Sequence, residues 1–311
     1  MKKNVRNLSA SVKARLQNKA KETNRPFSEI AQYYGMERFL YRFSRSKYSD
    51  KFILKGALMF SVWQVPERRA TLDIDFLANY DRRAEAIEKV IKDVCNMSVT
   101  PDGLVFDTET VKAQNIREQM EYEGVRVKFI GLLNRSRIPM QIDVGFGDAV
   151  YPKPEFIEYP VILDFPKPYL KGYPPETVLS EKFEAMIKLG LLNSRMKDFY
   201  DIWLMIRRFD FKGSLLIEAL KGTFKHRGTI LPEGPPFFDE EIYDTRSDRQ
   251  TLWKAFLNKA DIKLAPEKLS EVAKEIEDFL LEPLKAIKND YEFDKVWKSS
   301  GPWRNGLKDI K

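Results

Sequence analysis

At 311 residues, with 43% hydrophobic and 32% charged positions, the chain is long enough for one large domain or two and has the composition of a globular protein. One histidine (His226) and one cysteine (Cys95) argue against clustered zinc centres, Ser-His-Asp triads, Cys-His pairs and a disulfide framework. Any enzymatic chemistry has to come from carboxylates, lysines and bound metal. No apolar run approaches the roughly 20 residues of a membrane span. The basic start lacks the apolar stretch and cleavage site of a signal peptide, and a lone cysteine fits a reducing compartment, so the expected location is cytoplasmic. The net charge of +7 is uneven: residues 1–55 hold 14 Lys/Arg against 4 Asp/Glu, a net of +10. Such a basic segment suits a polyanion or, equally, a solvated helical face.

Helices are predicted at 9–24, capped by Ser9 or Ser11, and at 27–45 after Pro26. Arg38, Arg42 and Arg45 recur at i, i+4, i+7 on the second, a candidate RNA-binding stripe. Residues 52–64 read as a strand end, a turn at Lys55-Gly56 and a helix. A strand at 70–78, a helix at 82–95 and strands at 109–117, 124–134 and 138–146 follow, with turns at Glu123-Gly124 and Asn134-Arg135. Prolines from Pro152 to Pro175 mark an extended crossing between two lobes. Helices are then expected at 175–189, 194–209, 213–224, 247–259 and 266–289, a loop at 231–237, and a loosely docked tail carrying Trp297 and Trp303.

Thr71-Leu72-Asp73-Ile74-Asp75-Phe76 alternates strictly, so in a strand Leu72, Ile74 and Phe76 share one face, and Thr71, Asp73 and Asp75 the other. Same-face carboxylates about 6.5–7 Å apart at Cα can converge on divalent cations. A second alternating run, Met140 to Phe146, sets Asp143 opposite its apolar face. Three strand-borne acids suit two-metal phosphoryl or nucleotidyl transfer, whereas acids on a half-exposed strand can also be merely solvated. Gly56 before a helical run lets backbone N–H groups approach a phosphate, and Arg69, on the face of Asp73, can neutralise one. The alternatives are a tight turn and a surface charge.

Downstream, Glu176–Leu189 reads as a helix ending at Gly190, with Lys182 projecting from it. In the next helix Phe199, Ile202, Trp203 and Ile206 form the buried stripe, and Arg195, Asp198 and Asp201 share a polar side. Spacing alone favours ordinary salt bridges there. The sharper alternative puts Lys182 on a triphosphate beside Asp198. His226, between Lys225 and Arg227, reads as surface or RNA-facing, and Cys95 as packed.

LKGALMF, Arg69-x-Thr71-x-Asp73-x-Asp75, EKFEAMIKLG and NSRMKDFYDIW occur in that order, together with GVRVKF, IPMQIDVGFGDAV and TFKHRGT. Over about residues 5–260 the sequence thus resembles the AbiEii/AbiGii toxin nucleotidyltransferases of type IV toxin–antitoxin and abortive-infection systems. The resemblance implies an α+β fold: a nucleotidyltransferase-fold lobe with a mixed sheet, then a C-terminal helical lobe. It implies basic N-terminal helices at 1–50, a core at 51–165, a helical lobe completing the active site at 166–290 and a tail at 291–311.

By the same resemblance, Asp73 and Asp75 bind Mg²⁺ or Mn²⁺, with Asp143 as third acid. Lys55 and Gly56 form the phosphate-binding turn, Arg69, Thr71 and Arg195 assist nucleotide binding, and Lys182 and Asp198 form a catalytic pair. The chain departs from the wider superfamily in having Gly56-Ala57 where Gly-Gly or Gly-Ser is usual. The implied reaction transfers NMP from an NTP to RNA, the tRNA 3′ end, blocking translation, with a winged-helix DNA-binding antitoxin as partner. Rival readings are a transferase of the same fold acting on a protein or small molecule, and a non-catalytic RNA- or partner-binding protein.

Overall fold

Strict alternation of apolar and polar residues organises the first half of the chain into a sheet with one covered face. The computed structural model describes residues 7–67, 69–118, 122–190, 193–232, 243 and 247–306. Contacts divide it into two units, the first comprising Met1–Gln64, Ala70–Gly147 and Glu155–Gly172, the second Val65–Arg69, Asp148–Pro154 and Tyr173–Lys311.

In the first unit, helices α1 (Leu8–Thr23), α2 (Phe27–Ser44), α3 (Met59–Val62) and α4 (Ala84–Cys95) accompany seven strands: β1 (Phe52–Lys55), β2 (Asp73–Ala78), β3 (Leu104–Glu118), β4 (Tyr122–Leu133), β5 (Ser136–Phe146), β6 (Glu155–Glu158) and β7 (Tyr169–Gly172). They form one mixed sheet in the order β3-β4-β5-β2-β1-β7-β6. β2 runs parallel to β5 and antiparallel to β1. Ile74 and Phe76 of β2, and Met140, Ile142 and Val144 of β5, are buried against the helices. Ile87, Val90, Ile91 and Val94 give α4 its core stripe at helical spacing. Phe43 of α2 stacks on Phe76 at 4.8 Å between ring centroids, anchoring helix to sheet.

Local signals explain most boundaries. Asn7 caps α1 by accepting a hydrogen bond from the Ala10 amide. Asn134, at φ 54°, makes the two-residue turn between Leu133 and Ser136, which pair across β4 and β5. The turn expected at Glu123-Gly124 is instead continuous strand, because β3 and β4 stay in register out to Glu118 and Tyr122. The proline-rich crossing holds two further strands. Pro154, Pro160 and Pro168 lie outside β6 and β7, so the ladders lose no donor.

The RNA-facing stripe expected on α2 is corrected by burial. Arg38 is fully buried, donates to the Pro166 carbonyl and lies over the Tyr41 and Phe165 rings. Arg42 is buried and grips Asp102 with two nitrogens at 2.7 and 3.1 Å. Only Arg45 of the three is exposed. Beside Arg38, burial pushes the Glu37 carboxyl up to about 8, against the lowering effect of the guanidinium. These cations hold the fold together; a helix this deeply set has no solvated face for a periodic charge pattern to occupy.

The second unit contains α5 (Pro175–Leu189), α6 (Met196–Arg208), α7 (Gly213–Arg227), α8 (Asp248–Lys259) and α9 (Leu269–Lys288), with a small sheet of β8 (Phe211–Lys212), β9 (Lys295–Trp297) and β10 (Trp303–Asn305). The predicted loop at 231–237 lies mostly outside the described residues. As far as Gly306, where the described residues end, the tail is not loosely docked. Trp297 donates to the Ile206 carbonyl at 2.7 Å, Trp303 to that of Phe279 at 2.8 Å, and both rings are buried. Their alternation with charges conceals a short hairpin whose two indoles pack on Phe279.

Asp102→Ala removes the partner of a buried guanidinium and should destabilise the protein by about 3–5 kcal/mol. Urea unfolding measures this; a loss below about 1 kcal/mol would show that Arg42 does not depend on its partner.

Candidate active site

The face of the first sheet opposite α2 and α4 carries the acids. Register places Asp75 directly beside Asp143, and Asp73 beside Gln141. Directly paired residues point to the same side of a sheet, so the three carboxylates, from two neighbouring parallel strands, converge. One ligand oxygen from each of Asp73, Asp75 and Asp143 lies within 4.8 Å of the others. Donor atoms so close, all carboxylate oxygens, suit a hard divalent cation. Asp73 and Asp75 are partly exposed, and the Asp143 side chain retains 12% exposure.

Two cations bracket this cluster in the same row of the sheet. Lys55 of β1 pairs with Asp75, and Arg126 of β4 pairs with Asp143. Arg126 makes a two-pronged contact, Nε to Oδ1 at 2.8 Å and Nη2 to Oδ2 at 2.7 Å. The Asp143 carboxylate is thereby held in one orientation, with lone pairs remaining for a metal. Thr71 donates its hydroxyl to Asp73 and so orients the first acid. The pattern-based reading missed Arg126, although GVRVKF alternates and displays the signal once that strand is placed beside Asp143.

Gly56 lies against the cluster. Its φ is +71°, a backbone region that favours glycine, and a Cβ there would sit 1.9 Å from Asp75 Oδ2. Chain direction and side-chain room therefore both demand glycine. The helix expected after it is only a 3₁₀ turn (Gly56–Leu58) and the single turn of α3. Any phosphate grip there comes from individual amides rather than from a long helix dipole.

The second unit gathers the remaining predicted residues into an ionic cluster of its own. Lys182 Nζ lies 2.8 Å from both Asp198 and Asp201, and Arg195 Nε lies 2.7 Å from Asp198. Arg69 forks onto Asp201 at 3.0 and 2.9 Å. Arg69 lies ahead of β2, which begins only at Asp73, so the strand alternation that placed it on the face of the acids does not reach it. Three cations thus face two buried carboxylates. Lys182 links α5 to α6, beside Asp198 as the sharper alternative placed it. Burial alone would raise the Asp198 pKa, but Lys182 and Arg195 outweigh it and bring it down to about 2. The Lys182 pKa is raised although burial opposes this, because Asp198 and Asp201 favour its charge. His226 is exposed, and burial pushes the Cys95 thiol up to about 12.

A mixed sheet presenting convergent aspartates beside a glycine turn is the architecture of a nucleotidyltransferase core. The family model for the AbiEii nucleotidyl transferase toxin of type IV toxin–antitoxin systems matches residues 38–283, and the chain belongs to that family. It is a nucleotidyltransferase toxin by class, and membership implies an antitoxin partner. Similar solved structures include JHP933 from Helicobacter pylori, at 12% identity and TM-score 0.47, with 84% of this chain and 92% of that one covered. A candidate nucleotidyltransferase from H. pylori shows 14% identity and TM-score 0.45, with 84% and 95% covered. No curated protein matches the sequence. Among the described residues no helix is long and apolar enough to cross a membrane.

The depressed Asp198 pKa has a thermodynamic consequence. A folded-state value below the unfolded one means stability that is complete above about pH 4 and lost as pH falls towards 2, worth about 2 kcal/mol. Asp198→Asn should flatten the acid limb of a stability–pH curve taken by urea unfolding. An unchanged limb would show that the carboxylate is not held by Lys182 and Arg195.

Proposed function

We propose that the protein transfers a nucleoside monophosphate from an NTP to the 3′ end of RNA, with tRNA as the acceptor and a block of translation as the result. The observation that carries this reading is the convergence of Asp73, Asp75 and Asp143 on one sheet face. Divalent cations held there, magnesium or manganese, would lower the pKa of the attacking hydroxyl and neutralise charge on the triphosphate.

The protein's own groups have separable tasks. Asp73 and Asp75 supply the central ligands, with Thr71 orienting the first. Asp143, held by Arg126, keeps its carboxylate turned to the acceptor side. Gly56 lets the backbone amides of the turn approach triphosphate oxygens that a side chain would exclude, and Lys55 adds positive charge beside Asp75. In the reaction a bond forms between the acceptor 3′-oxygen and the α-phosphorus, and the bond to the bridging oxygen of pyrophosphate breaks.

Roles for Lys182, Arg195 and Arg69 on the triphosphate, with Asp198 keeping Lys182 charged and oriented, rest on the resemblance to the family. Lys182→Met would then raise KM for the NTP and lower kcat. A cytoplasmic location and a winged-helix antitoxin belong to the same proposal.

The test is incorporation of labelled NTPs into total tRNA with Mg²⁺, comparing the wild type with Asp73→Asn. Removal of one central ligand should lower transfer by roughly a hundredfold or more, and chelation of the metal should abolish it. Absence of incorporation from any of the four NTPs would contradict an RNA acceptor, and full activity in Asp73→Asn would contradict the metal-ligand role. A second change probes the turn. Gly56→Ala should suppress transfer to a similar degree while the fold persists by circular dichroism, because the new methyl occupies the space of the Asp75 carboxylate.

A further inference from the structure

Beside the acids, the first sheet borders a groove of about 1220 Å³ lined by the start of α2 and by β3, β4 and β5. It begins at Asp73. Register continues Asp73 laterally through Gln141 and Lys128 to Lys112, one residue on each of four adjacent strands. At strand spacings near 4.8 Å this row spans about 14 Å from Asp73 to Lys112. Lys112, Lys128 and Arg137 are all exposed along the groove.

Two features are costly for folding alone. Lys112 and Lys128 stand directly opposite each other on neighbouring strands, where like charges destabilise a sheet. Leu72 is 68% exposed, and it lines the groove with Phe27 and Ile130. Apolar surface flanked by cations is what a single-stranded nucleic acid needs, since bases pack on the apolar side and phosphates meet the charges. Among the lining acids, Glu29 is already paired with Arg25 at 2.8 Å, and Asp73 belongs to the carboxylate cluster. The excess along the groove is positive.

From this we infer that the groove holds the single-stranded 3′ end of the RNA acceptor, its phosphates on Lys112, Lys128 and Arg137 and its terminal bases against Leu72 and Phe27, so that the 3′-hydroxyl arrives at Asp73. The inference rests on the RNA-acceptor part of the function proposed above. It moves the polyanion contact from the buried arginines of α2 to the sheet face. Lys112, Lys128 and Arg137 act as binding residues, and Gln141, between Lys128 and Asp73 in the row, lies where the last nucleotide passes.

The experiment is fluorescence anisotropy of a labelled single-stranded RNA with a free 3′-hydroxyl, titrated between about 50 and 200 mM salt without NTP. The double variant Lys112→Gln/Lys128→Gln should bind roughly tenfold more weakly at 100 mM salt. Its slope of log affinity against log salt should be smaller by about 1.4, two phosphate contacts at about 0.7 each. Its thermal midpoint should not fall, because a repulsive pair has been removed. The charge-matched control Lys254→Gln/Lys263→Gln, exposed in the second unit, should keep the wild-type slope. The inference is overturned if the groove variant loses no more than the control, or if the wild-type chain does not bind the RNA. Binding is read independently of turnover. A chain that binds through these lysines but transfers no nucleotide upholds the groove and removes the transfer reaction, whereas transfer to RNA unimpaired in the groove variant does the reverse.

Discussion

Three carboxylates held on one face of a sheet repel one another, and this repulsion is the constraint around which the first unit is built. At separations within 4.8 Å, each pair of full charges costs roughly 3–4 kcal/mol at an effective dielectric near 20, and less where water reaches between them. The fold does not avoid the cost by separating them. Parallel pairing of β2 with β5 sets Asp75 against Asp143, and the cations at the two ends of that row, Lys55 and Arg126, offset part of it. Three carboxylates against two cations leave the cluster net negative, a balance that a divalent cation would offset.

The same opposition recurs with the sign reversed a short way along the sheet. Lys112 faces Lys128 as Asp75 faces Asp143, so each like-charge pair gains from a further counterion beyond Arg126 at Asp143 and Glu88 near Lys112. An acidic centre and a cationic track on one face match the two ends of the reaction, a metal-bound triphosphate and a polyanionic acceptor. The opposite face is covered by α2 and α4 and carries the apolar core.

Much of this was legible in the sequence, for identifiable reasons. Alternation in β2 and β5 told which residues share a face, because the period of a strand is 2 and each run is long enough to show it. Helical boundaries at Pro26 and Gly190 and the strand turn at Asn134 followed from positions where backbone geometry is tied to residue type. Register between strands whose paired residues lie 68 apart in sequence was not legible, so the approach of Asp143 to Asp75, and the role of Arg126, needed the three-dimensional pairing. The α2 stripe shows the reverse failure. Periodicity places Arg38, Arg42 and Arg45 on one side but does not say whether water or protein lies there, and the decisive partner, Asp102, is 60 residues away. β6 and β7 escaped notice because four-residue strands between prolines leave too little pattern, and the tryptophan hairpin because its residues pack on Phe279 from outside their own segment.

The most direct test of the carboxylate cluster is a crystal structure of the protein soaked in Mn²⁺, read by anomalous scattering. The account predicts a peak on the open sheet face with oxygen ligands from Asp73, Asp75 and Asp143 at about 2.0–2.2 Å. Manganese bound elsewhere, with the three side chains still clustered and empty, would contradict it.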